Sequence, residues 1–166
     1  MNKVKGLNTF QLKEALETHP VTKPCFDGIY ALDQLKVFDT PPRLIIVNTD
    51  PKHKPGKHWL LFHFLDHDTV EMFDSLGKDI ESYPKPIANF VGSFAHRIVQ
   101  MDERIQPLGS ALCGHYCLYY AYCSCNGEKM QDIVQHIPSS NWIETCIPIL
   151  FHIEDINSNC QGCTYL

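Results

Sequence analysis

A cysteine, a histidine, an acid and a glutamine fall in three short segments of this sequence, in types and order that suit thiol chemistry. The stretch "QPLGSALCGHYCLYY", starting at Gln106, sets Cys113 among small residues at the mouth of an apolar segment that Asn126 and Gly127 close as a helix C-cap. The pattern predicts a helix that begins at the cysteine, is apolar on every side, and is therefore buried. The unpaired N–H groups and the dipole at such a helix start stabilise an anion, so a thiolate there is poised to attack. Ser110, Ala111 and Gly114 would leave room for a substrate backbone to come close. A metal ligand and a packed core thiol are the alternatives for Cys113.

A thiol nucleophile needs an imidazole to take its proton, and a second group to orient the ring. His58 fits, because it opens the apolar run "HWLLFHFL" just after Gly56, with Trp59 beside it to wall a site. His63, in mid-strand, and His67, in a turn, suit structural or solvated roles better. Asp74 ends the run "TVEMFDSL", and a hairpin about the "DHD" turn sets it opposite His58. Asp66 and Asp68 then only shape that turn. Gln106, in the loop before Cys113, can offer a side-chain N–H to a developing oxyanion. Together with the Cys113 amide it would stabilise a tetrahedral intermediate, at about 3 kcal/mol per donor.

These residues need a sheet and a buried helix to bring them together. "NTFQLKEALETHP" predicts a short amphipathic helix, with Asn8 as N-cap, Gln11 completing a capping box, and Pro20 as its stop. "PCFDGIYALDQL" reads as a turn leading into a short helix or strand. "RLIIVNT", "HWLLFHFL" and "TVEMFDSL" predict an antiparallel meander whose middle strand is covered on both faces. "SYPKPIANFVGSFAHRIVQMDE" predicts a helix carrying Ile87, Phe90, Val91, Phe94 and Ile98 on one face. A short helix at "KMQDIVQHI" and the segment "NWIETCIPILFHI" complete an α+β order in one domain over residues 1–166.

Composition narrows the functional classes. Apolar residues make up 44% and charged residues 20% of the 166, and the net charge of -5 gives no general pull toward nucleic acid. The basic stretch "KHKPGK" reads as a solvated loop. No run approaches the roughly 20 apolar residues of a membrane span, and residues 1–12 are too polar for a signal peptide. An unsecreted protein with no membrane partner and with reduced thiols is expected. Of the eight cysteines only Cys160 and Cys163 have the usual spacing of a zinc ligand pair, and no second pair completes it, so no metal is expected. A zinc-binding interaction module is the rival from a different functional class.

The segments "GKHW", "FDSLG" and "QPLGSALCG", in that order, resemble the adenovirus endopeptidase (adenain) family of cysteine proteases, relatives of the ubiquitin-like protein proteases. The likeness extends over "NTFQLKEAL", "FDGIYALDQL" and "LIIVNT", and so over roughly the first 125 residues. It implies a papain-like, adenain-like α+β fold, with a central, mostly antiparallel sheet, flanking helices and a buried helix bearing the nucleophile. It also implies a Cys113–His58–Asp74 triad with Gln106 in the oxyanion hole. A glutamine seven residues before the cysteine, and Leu112 just ahead of it, favour the adenovirus-type branch. Asp74 stands where adenovirus enzymes carry glutamate, although the ubiquitin-like protein proteases use aspartate there.

By this resemblance the chain is expected to be a monomeric viral endopeptidase of virion maturation, cutting precursor proteins at Gly-containing sites in the host nucleus or cytoplasm and in the virion. A deubiquitinase or deconjugase of ubiquitin-like proteins is the alternative. No cofactor is required, although the family admits a peptide or DNA activator. The disulfide by which adenovirus enzymes hold their peptide has no counterpart, since no cysteine lies between Cys25 and Cys113.

Overall fold

The computed structural model describes residues 5–153. Five strands form one sheet in chain order: β1 (Phe26–Tyr30), β2 (Leu44–Asn48), β3 (Trp59–Phe64), β4 (Thr69–Phe73) and β5 (Arg97–Gln100). The expected meander is β2–β3–β4, antiparallel throughout, and a parallel strand is added at each edge, β1 beside β2 and β5 beside β4. The short apolar strands alternate which face they fill. Leu44, Ile46, Leu61 and Phe73 enter one core, while Ile45, Val47, Leu60, Phe62 and Met72 enter the other. The meander is thus covered on both sides, which explains why its sequences are nearly continuous apolar runs.

Helix α1 (Thr9–Thr18) begins with the expected capping box, Asn8 accepting from the Gln11 amide and Gln11 from the Asn8 amide. It shares one core with α3 (Cys113–Cys125), α4 (Met130–Gln135) and α5 (Ser140–Leu150), whereas α2 (Lys85–Gly92) packs in the other. Helix α3 is buried along most of its length and lies on the sheet through Tyr120, whose ring stacks on Phe73 at 4.4 Å. The Tyr120 hydroxyl donates to the buried Glu71 carboxylate at 2.8 Å, with His63 Nδ1 3.7 Å from the same oxygen. His63 therefore belongs to the joint between sheet and helix.

Two segments differ from the sequence expectation. The helix predicted through residue 98 stops at Gly92, and residues 97–100 form β5, because the β-branched Ile98 and Val99 complete a parallel edge beside β4. The spacing of Phe94 and Ile98 merely imitates a helical repeat. "FDGIY" resolves into strand β1, followed by a single turn of tight helix. Cys25, Cys113, Cys117, Cys123 and Cys125 are free thiols, whereas Cys146 is disulfide-bonded, so the expectation of reduced thiols throughout does not hold.

Gly77 and Gly127 both adopt left-handed backbone, with φ of 62° and 88°. They differ in surroundings: a Cβ on Gly77 would sit 2.4 Å from the Glu103 carbonyl carbon, while Gly127 faces open space. Gly127→Ala should therefore lose only the conformational term, about 1–2 kcal/mol. Gly77→Ala adds a clash with backbone and should lose about 3 kcal/mol or more. Urea midpoints of the two variants check the ranking, and equal losses would contradict it.

Candidate active site

His58 lies one residue before β3, and Asp74 one residue after β4, so the same hairpin carries both. Leu61 faces Phe73 and Phe62 faces Met72, which continues to set Asp74 opposite Leu60 rather than His58. The expected pairing was two residues out of register. The contact forms regardless, because His58 and Asp74 become diagonal neighbours on one face, within reach of a long side chain. His58 Nε2 lies 2.6 Å from Asp74 Oδ1, with both residues buried.

Four donors converge on Asp74. Besides His58 Nε2, the Tyr83 hydroxyl donates to Oδ2 at 2.6 Å, the Leu76 amide to Oδ1 at 2.9 Å and the Lys78 amide to Oδ2 at 3.0 Å. Burial alone would raise the pKa of this carboxyl, but the hydrogen bonds from His58, Tyr83 and Leu76 outweigh it and hold the group below its ordinary value. Burial likewise opposes charge on His58. Its bonds to Asp74 and Cys113 win, raising the imidazole to about 9. With Nε2 committed to Asp74, Nδ1 is the nitrogen left to meet the Cys113 sulfur. Tyr83 also covers the ring, with centroids 6.1 Å apart and planes 12° from parallel. Nothing in the sequence marks Tyr83, nine residues beyond the acid and tied to it only by the fold.

Cys113 opens α3 behind Leu112, which provides no side-chain cap, so the first-turn N–H groups are left to whatever occupies the site. Gln106 is buried beneath the same cleft. Its Oε1 accepts from the Ser75 hydroxyl at 2.7 Å and its Nε2 donates to the Ser110 carbonyl at 2.8 Å. A carbonyl can only accept, so this pair fixes which end of the amide faces which way and leaves one Nε2 hydrogen over. The Ser75 carbonyl also accepts from the Ile105 and Gln106 amides, anchoring the loop to the end of β4. Ser75 escapes sequence reasoning, although its place beside Asp74 was a usable signal.

His58, Cys113, Gln106 and Trp59 line one cleft of about 1330 Å3, which Ser110 and Ala111 also border. Gly114 has a different role from the one expected. A Cβ there would come within 3.2 Å of Leu7, 3.4 Å of Leu12 and 3.4 Å of Trp59, so its missing side chain serves helix packing and opens no space for a substrate. Trp59 is pinned by its Nε1, which donates to the Leu7 carbonyl at 3.0 Å. Cys117, one turn on, is the packed core thiol, with burial pushing its pKa well up. Asp66 accepts from the Asp68 and Thr69 amides and shapes the turn that His67 occupies in solvent. Among the described residues no group of three or more His, Cys, Asp or Glu side chains could hold a metal ion, and none of their helices is long and apolar enough to cross a membrane. Cys160 and Cys163 lie outside the described residues.

No family model matches the sequence, and no curated protein matches it significantly. Among solved structures, two crystal structures of the ASFV pS273R protease, one of them with selenomethionine, each align with a TM-score of 0.60 at 16% identity, covering 94% of this chain and 70% of that one. The Legionella pneumophila effector protein RavZ aligns over 90% of this chain and 64% of its own, at 13% identity and with a TM-score of 0.45. At such identities the likeness to the ASFV protease is one of fold and extends to neither substrate nor branch. The chain has the α+β cysteine-protease fold expected from its sequence.

Proposed function

We propose that the protein is a cysteine endopeptidase in which Cys113 attacks, His58 moves protons, Asp74 orients His58, and Gln106 with the Cys113 amide binds the oxyanion. The observation that carries this reading is a buried imidazole whose Nε2 lies 2.6 Å from Asp74 Oδ1 and which shares its cleft with Cys113, at the start of α3. The Cys113 sulfur adds to the peptide carbonyl, and the carbonyl oxygen becomes an anion facing the spare Gln106 N–H and the Cys113 N–H. His58, holding the thiol proton on Nδ1, passes it to the amine as the C–N bond breaks, leaving a thioester on Cys113. Water then gives a proton to His58 and its oxygen to the thioester, releasing the acid and restoring the thiol. Nothing in this scheme calls on a metal or an organic cofactor.

The resemblance of "GKHW", "FDSLG" and "QPLGSALCG" to the adenovirus endopeptidases supports viral precursor proteins cut at Gly-containing sites as the substrates. A peptide with a central Gly-Gly should be hydrolysed in preference to fluorogenic substrates built on the ubiquitin C-terminus. The reverse preference would assign the site to a deconjugase, and turnover of neither would remove the enzyme reading.

Iodoacetamide near neutral pH should label Cys113 well ahead of Cys117, Cys123 and Cys125, whose thiols burial raises. His58→Ala should erase that lead, and uniform slow labelling would count against catalysis. Tyr83→Phe removes one of the four donors to Asp74 and should lower kcat/KM about fivefold, the equivalent of about 1 kcal/mol.

The pH profile follows from the direction of the His58 shift. The leaving amine needs the protonated ring, which is present below about pH 9 and is lost as pH rises through that value. The alkaline limb of kcat/KM should therefore lie near pH 9. Asp74→Asn removes the negative partner, so the limb should move to lower pH. An unmoved limb would mean that another group sets it.

A further inference from the structure

The basic stretch "KHKPGK" takes no part in the chemistry proposed for the site, yet it stands over it. Its Lys52, Lys54 and Lys57, on the connection between β2 and β3, line the same cleft as Cys113 and His58. Lys78 and Arg104 line the cleft from adjoining backbone, since a Cβ on Gly77 would meet the Arg104 amide nitrogen at 2.7 Å. Lys5 contributes from the segment before α1. All six are exposed, and none makes an ion pair within the described residues. The carboxylates of the same lining are otherwise engaged. Glu17 lies 3.8 Å from Lys13 and Asp27 lies 2.7 Å from Arg43, which leaves only Asp50 outside an ion pair.

We propose that this cleft selects polypeptides carrying Asp or Glu side chains close to the scissile bond, an inference that rests on the peptidase reading above. A single exposed lysine would be merely solvated. Several like charges along one groove with low-dielectric walls focus their field into it, and they attract and orient an oppositely charged ligand. The concentration of cations in the cleft contrasts with a chain whose net charge is -5. That contrast favours a short acidic peptide over nucleic acid, because a long polyanion would run beyond the groove across a surface that is negative on balance.

The test uses two fluorescein-labelled decapeptide pools with a central Gly-Gly, one flanked by Asp and Glu and the other by Asn and Gln. Hydrolysis is followed with the wild-type chain, and binding by anisotropy with Cys113→Ala. The acidic pool should be cut, and bound, about five to ten times better at low ionic strength, with the ratio falling as salt screens the charges. Lys52→Gln/Lys54→Gln/Lys57→Gln and Lys78→Gln/Arg104→Gln should each narrow the ratio of the two pools toward one. Equal treatment of the pools overturns the inference, whether or not the peptides are cut, and so does tighter binding of a single-stranded oligonucleotide than of the acidic pool. An acidic pool that is preferentially bound but never cut upholds the charge selection while removing the peptidase reading.

Discussion

The carboxylate of Asp74 is almost fully buried, a placement that would ordinarily neutralise it, and it stays charged because four hydrogen-bond donors meet its two oxygens. Two are amides of the turn that Gly77 makes possible, one is the Tyr83 hydroxyl, and the last is His58. The negative charge fixed there gives His58 a reason to keep its proton in a buried place, in the cleft where Cys113 opens α3. Each link depends on the one before it. Sheet register, the glycine turn and the helix start are the means by which the fold keeps that chain of charges in line.

The fold around this chain does much of the work of exclusion. Tyr83 covers the imidazole, and Gly114 lets the first turn of α3 settle against Leu7, Leu12 and Trp59. The Ser75 carbonyl holds the loop bearing Gln106, while the Ser75 hydroxyl turns its amide. Position, more than residue type, separates Cys113 from Cys117. Both belong to α3, but one lies at the helix start in the cleft while the other is sealed beneath Trp59, whose carbonyl its sulfur meets at 3.7 Å.

Much of this was legible in the sequence because the signals were local. The capping box at Asn8, the apolar runs of the meander, and the Asn126-Gly127 stop each follow from a few neighbouring residues, and the structure carries all three. His58, Asp74 and Cys113 stood out by type and by their place at the ends of predicted elements, and Gln106 by its place in the loop before Cys113. The misses share a physical cause. β5 is short and gains its strand character from pairing with β4, which periodicity within its own segment cannot reveal. Tyr83 and Ser75 matter through tertiary hydrogen bonds that no spacing rule encodes, and Gly114 could be assigned to packing only once its neighbours across the core were known.

The charge of His58 is the most direct measure of the whole arrangement. Following the ring carbons of His58 by NMR as a function of pH should give a midpoint near 9 in the native chain, falling when Asp74 is replaced by Asn. A midpoint near the ordinary histidine value of about 6.5, unmoved by that substitution, would contradict the linked charges at Asp74 and His58.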